Sequence, residues 1–139
     1  MTYPCEVGWN WPEAPDGEST LVRSVDELRQ QLANIRAKAE ARQIAIAVNV
    51  ATPKENTFSL VLGLGDGSIV TYDGLRGDPP YFVSLGDARK ERGLVRYFYG
   101  GQLSELPASH VIPQELALDV LVDSIENEQP SSLIQWYGG

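Results

Sequence analysis

The sequence predicts an α+β domain, an antiparallel β-meander sheet with two helices packed mainly on one face. Three observations predict it. Two segments, one from about residue 24 to residue 41 and one from Pro113 to the Gln129-Pro130 stop, place apolar residues three and four apart. Between them lies a series of short strand-like runs, joined by connections too short for crossover helices. Finally, 139 residues without a repeat, a low-complexity run or a long linker make one unit, residues 1–139, able to bury its own core.

The elements follow in order. CEVGW (5–9) reads as an opening strand. Ser24 and Glu27 then form an S-x-x-E capping box, with Asp26 in the first turn where the helix dipole favours it. Val25, Leu28, Leu32, Ile35 and Ala39 mark the apolar face of that helix. IAIAVNV (44–50) is β-branched and almost wholly apolar, as expected of a central strand covered on both faces. FSLVLGL (58–64) and SIVTYD (68–73) flank Gly65-Asp66-Gly67, read as a three-residue hairpin loop. YFVSL (81–85) and LVRYFY (94–99) are the next strands, separated by the basic loop GDARKERG (86–93), read as a solvated connection. The second helix starts with Pro113 at its first helical position, and SLIQWY (132–137) closes the sheet. On the strand 94–99, Val95, Tyr97 and Tyr99 face one way and Leu94, Arg96 and Phe98 the other. Trp136 is expected to be largely buried between the closing strand and the helices.

Charge is spread unevenly. The net charge is −8, and residues 1–22 carry four acids (Glu6, Glu13, Asp16, Glu18) and no base. All 11 basic residues lie within 23–96, against nine acids there; residues 97–139 hold six acids and no base. Such a field repels nucleic acid and anionic membrane and draws in basic partners. On the second helix Glu115, Asp119, Asp123 and Glu126 recur every three or four residues. Like charges at that spacing repel by a few tenths of a kcal/mol per pair.

Catalytic constellations are sparse. One His (His110) and one Cys (Cys5) cannot build a zinc site, and a Cys–His nucleophile pair requires these two to meet. His110 is read as a loop residue or a hydrogen-bonder at the helix entrance. No G-x-S-x-G elbow is present, and the glycines of GLGDGS (63–68) precede a strand-like IVTY rather than a helix. Carboxylates are plentiful, but nothing selects an acid/base pair among them. No catalytic residue, metal or cofactor is therefore expected. With a single cysteine, no signal-like N-terminus and no apolar run near the ~20 residues of a membrane span, a cytoplasmic location is expected.

The hairpin LVLGLGDGSIVTYDG (60–74), then PPYFVSLGD (79–87), VRYFYGGQLSELPASHVIPQELALDVLVDSI (95–125) and QPSSLIQWY (129–137) together resemble the first-numbered family of immunity proteins of bacterial polymorphic-toxin systems. The resemblance runs over residues 44–137. One departure is that the family typically has Gly before the late proline, where this chain has Glu128 and Gln129. The resemblance implies a small antitoxin whose partner is a cognate toxin domain, often a nucleic-acid deaminase, which it blocks by binding. It is then a monomer when free and a heterodimer with the toxin. The partner-binding residues expected on this reading are Glu115, Asp119, Asp123 and Glu126, Glu105 in the loop before the helix, and the aromatics Tyr97 and Tyr99. Two other readings stay open: a ligand-binding or dimerising module using the uncovered sheet face, and a hydrolase or isomerase using carboxylates.

Overall fold

The computed structural model of the chain describes residues 3–86 and 93–138; the basic loop read over residues 86–93 falls almost wholly outside them. Alternating burial marks the first strand, β1 (Cys5–Trp11), in which Cys5, Val7, Trp9 and Trp11 point into the core. It pairs antiparallel with β2 (Ala14–Val22), a strand the sequence reading lacks. The run APDGESTLV holds Pro, Asp and Gly, which depress strand propensity. At the sheet edge, bonded on one side only, all three are tolerated.

Helix α1 (Val25–Arg42) begins as its capping pattern dictates. The Ser24 hydroxyl accepts from the Glu27 N–H at 3.1 Å, while the Glu27 carboxylate accepts from the Arg23 N–H at 2.6 Å, one residue earlier than an ideal capping box. Leu28, Leu32, Ile35 and Ala39 form its buried face. Strands β3 (Ile46–Ala51), β4 (Asn56–Leu62), β5 (Gly67–Ser68), β6 (Val70–Leu75) and β7 (Phe82–Ser84) follow. Of these, β3, β4, β6 and β7 form the expected antiparallel meander. The hairpin loop is shorter than expected. Leu64 bridges Gly67, so only Gly65 and Asp66 lie in the loop.

Next come β8 (Leu94–Tyr99) and β9 (Gln102–Pro107), which pair antiparallel with Tyr99 opposite Gln102. The two-residue turn is Gly100-Gly101, both at positive φ, as a primed turn requires. Glu105 therefore lies on a strand, not in a loop. A 3₁₀ turn (Ala108–His110) leads to β10 (Ile112–Pro113), which pairs with β5. Helix α2 (Gln114–Asn127) has Pro113 at its cap, with ψ of 141°, so the proline precedes the first helical residue instead of occupying it. The last strand, β11 (Trp136–Gly138), pairs antiparallel with β7.

The main sheet runs β11-β7-β6-β4-β3-β1-β2, and β8 joins it through one parallel pair, Ile46 with Phe98. The antiparallel α+β class is as the sequence predicts; the plain meander gains the β1–β2 hairpin at one side and the β8–β9 hairpin as a branch. Both helices pack on one face. Leu28, Leu32 and Ile35 of α1 join Ala117, Val120, Leu121 and Ile125 of α2 over Val48, Phe58, Leu60 and Tyr72. Each fully buried Leu or Ile contributes about 1.5–3 kcal/mol. On the second face Ala45, Ala47, Val61, Ile69 and Tyr97 form a smaller cluster, closed by Val95 and Leu106 of the β8–β9 hairpin. That hairpin covers one end of the second face.

The end of α2 is tied to the β3–β4 turn. Glu128 ends the helix in the left-handed conformation, φ 53°. Its carboxylate accepts from the Thr52 hydroxyl, the Asn56 amide at 3.0 Å and the Lys54 N–H at 3.2 Å. The Asn56 amide also donates to the Glu128 carbonyl at 3.2 Å, and the Tyr72 hydroxyl donates to the Asn56 carbonyl oxygen at 2.7 Å.

Candidate interaction surfaces

Helical spacing puts Ala117, Val120, Leu121, Ser124 and Ile125 of α2 into the core and its carboxylates outside. Glu115, Asp119 and Glu126 are exposed and Asp123 is half-buried. Two members of the row have partners. Arg29 reaches across from α1, placing Nη2 3.2 Å from an Asp119 oxygen, and Asp123 accepts from Ser131 Oγ at 2.6 Å and Asn127 Nδ2 at 2.9 Å. Asp119 and Arg29 are 59% and 43% exposed, so their pair is worth under about 1 kcal/mol and can exchange for an external partner. Among the described residues Glu115 and Glu126 have no ion-pair partner.

The other expected contact residues lie elsewhere. Glu105 sits opposite Arg96 on the β8–β9 hairpin, with Nε 3.7 Å from its carboxylate. Val95, Tyr97 and Leu106 of that hairpin belong to the second-face cluster, whereas α2 packs on the helix-side core. Tyr97 is only 9% exposed and belongs to the second-face cluster, whereas Tyr99 is 43% exposed. The expected set thus divides between two surfaces.

The second surface contains a polar group that the sequence reading does not single out. Strand register places Asn49, Ser59 and Thr71 side by side across β3, β4 and β6, with Asp73 two residues further along the same face. The Thr71 hydroxyl donates to Asp73 Oδ1 at 2.8 Å, and the Ser59 hydroxyl lies against Asp73 Oδ2 and 2.8 Å from Asn49 Oδ1. Burial raises the Asp73 carboxyl above its ordinary value of 3.8, opposed by these hydroxyls. Burial also raises the Tyr97 and Tyr99 phenols, and the Asp73 charge pushes both further in the same direction. The available signal was alternation: IAVNVA, NTFSLVL and VTYDGL each place a polar residue among apolar ones on the face away from the helices.

A carboxylate whose folded pKa is raised favours the folded state when protonated. Its contribution is fully present below the unfolded value and is lost as pH rises through the folded one. Asp73→Asn, which cannot ionise, is therefore expected to melt above the parent at neutral pH, with the difference shrinking as pH falls towards 3.8. A variant melting below the parent at neutral pH refutes this.

Residues with catalytic potential are otherwise engaged. His110 is 6% exposed; its Nδ1–H donates to the Ser84 carbonyl at 2.9 Å, and the Ser84 hydroxyl donates back to the His110 carbonyl at 2.7 Å. Cys5 is buried in the helix-side core, and burial pushes its thiol up to about 11, far from a reactive thiolate. Trp136 is half-buried rather than fully enclosed, with its indole N–H donating to the Ser131 carbonyl at 2.8 Å. Among the described residues no three His, Cys, Asp or Glu side chains converge to hold a metal, and no helix is long and apolar enough to cross a membrane. The arrangement offers two polar surfaces that carry carboxylates, the outer side of α2 and the sheet face around Asp73. A family model described as Immunity protein Imm1 matches residues 16–137, and no curated protein matches the chain.

Proposed function

The chain belongs to the Imm1 family of immunity proteins, and we propose that it neutralises a cognate toxin domain by binding it, without catalysis of its own, through the outer face of α2. The observation that carries this reading is the row Glu115, Asp119, Asp123 and Glu126, exposed or half-exposed on one helix of a chain with net charge −8. A toxin acting on DNA or RNA, such as a deaminase, needs a basic groove because phosphate contacts dominate nucleic-acid affinity. An acidic helix fits that groove, speeds encounter and competes with the substrate. In this proposal Arg29 turns away from Asp119 as a toxin cation replaces it.

Neutralising Asp119, Asp123 and Glu126 to Asn, Asn and Gln is expected to leave the fold intact. Association with the cognate toxin domain slows about tenfold or more at low salt, and the salt dependence of that rate flattens. Surface-immobilised binding at two salt concentrations checks this. Unchanged rates at both remove α2 from the interface. The rival reading, a ligand-binding module, has one observation in its favour, a cavity of about 900 Å³ bordered by Leu64, Leu85, Val111, Leu116 and Ile134. A melting-temperature screen against metabolites tests it.

A further inference from the structure

We propose that Asp73 and the polar side chains around it form a receptor for an arginine side chain of the partner toxin, on the sheet face opposite α2. This rests on the toxin-binding reading above and adds a contact that the acidic helix does not supply.

The site is built for a cationic donor. Three strands bring Asn49, Ser59, Thr71 and Asp73 together, and the Tyr99 phenol of β8 interacts with Ser59 and feels the Asp73 charge. Ser59 has one hydroxyl proton and two acceptors, Asn49 Oδ1 and Asp73 Oδ2, within reach. Turning the Asn49 amide over relieves that shortage but leaves hydroxyls as the only donors to the Asp73 carboxylate among the described residues. Among the described residues no Lys or Arg pairs with it. A half-buried carboxylate without a counter-charge costs stability, and such a cost is retained where binding uses it.

The face around it has the same character. The residues of β1, β2, β3, β4 and β6 that share it include Glu6, Gly8, Ser19, Leu21, Ala51 and Thr57, and no Lys or Arg lies among those strand positions. A guanidinium suits the site better than a compact ammonium. It carries five N–H donors in a plane, so it can serve a carboxylate and an amide oxygen at once and stack on a tyrosine ring. Among the described residues no second and third acidic or imidazole side chain converges with Asp73 to hold a metal. A protein partner is favoured over free arginine because Tyr99, 43% exposed, and Leu21, 49% exposed, lie on the same face and offer aromatic and apolar contact beyond the reach of a single amino acid.

The test uses the intact chain with two probes. In an amide NMR titration, N-acetyl-L-arginine amide is expected to shift the signals of Asn49, Ser59, Thr71 and Asp73. The citrulline analogue, of the same shape but uncharged, leaves them in place, and Asp73→Asn abolishes the response. With the cognate toxin domain, Asp73→Asn is expected to raise Kd about thirtyfold or more while the melting temperature does not fall. Tyr99→Ala, exposed and remote from the helix-side core, should also raise Kd with melting unchanged; it keeps the test open if Asp73→Asn fails to fold. Equal shifts with both analogues, shifts confined to Glu115 and Glu126, or a parent-like Kd in folded Asp73→Asn overturn the receptor. If the parent itself does not bind the toxin, the toxin-binding reading fails, while the arginine titration still reports on the site.

Discussion

Glu128→Ala is expected to lower unfolding stability by about 2–4 kcal/mol, a fall of about 10 °C in Tm. The carboxylate is the common acceptor for Thr52 Oγ, Asn56 Nδ2 and the Lys54 N–H. Removing it strands donors in a partly buried place where water enters poorly, and unmet buried donors cost more than a made hydrogen bond contributes. Glu128→Gly loses the same contacts but relieves the left-handed backbone at φ 53°, so it should recover about 1 kcal/mol relative to Ala. The expected order of stability in urea unfolding is parent, Gly, Ala. Ala melting with the parent refutes the clamp. This also gives a physical account of the departure from the family resemblance, in which Gly typically precedes the late proline. Here a backbone conformation that favours Gly is held by Glu, and the side chain fastens α2 to the sheet.

Gly63→Ala is expected to lower stability by about 3 kcal/mol or more. Gly63 lies just past β4 at φ +101°, and a methyl group there overlaps the Ile44 carbonyl oxygen and comes within 2.9 Å of Ala45 Cα. Strain and overlap therefore add. Gly65, two residues on, makes the control: its φ is +74° with nothing within 4 Å of an added Cβ, so Gly65→Ala should lose only about 1 kcal/mol from conformation alone. Unfolding of the two variants side by side measures the difference. Equal losses put the whole effect on φ and refute the close approach.

What the sequence made legible was local. Ser24 and Glu27 announced α1 because a cap is made by residues three apart, and IAIAVNV announced a central strand because both its faces are buried. Strand β2 was hidden because its partner, not its own propensity, makes it a strand. Strand β9 was hidden for a related reason: QLSELP lacks a clean alternation, and the Gly100-Gly101 turn was the stronger clue. The α2 carboxylates were found at their true spacing, yet Arg29 answers Asp119 from 90 positions away, a distance no helical pattern spans. Asp73 was legible only as a polar residue in a strand. Its company of Asn49, Ser59 and Thr71 depends on the register of three strands, which periodicity alone does not set.

The open ends of the main sheet bear on how safely the chain can be made in quantity. An exposed strand is a template for another chain, and a long flat one seeds aggregation. Here β2, at one end, has Pro15 in its backbone and carries exposed Asp16 and Glu18; the other end is β11, three residues long. The branch ends in β9, with exposed Glu105 and a terminal Pro107. Each border thus repels, interrupts or shortens the pairing a second copy needs. A chain built this way can accumulate at high concentration without its sheets joining end to end.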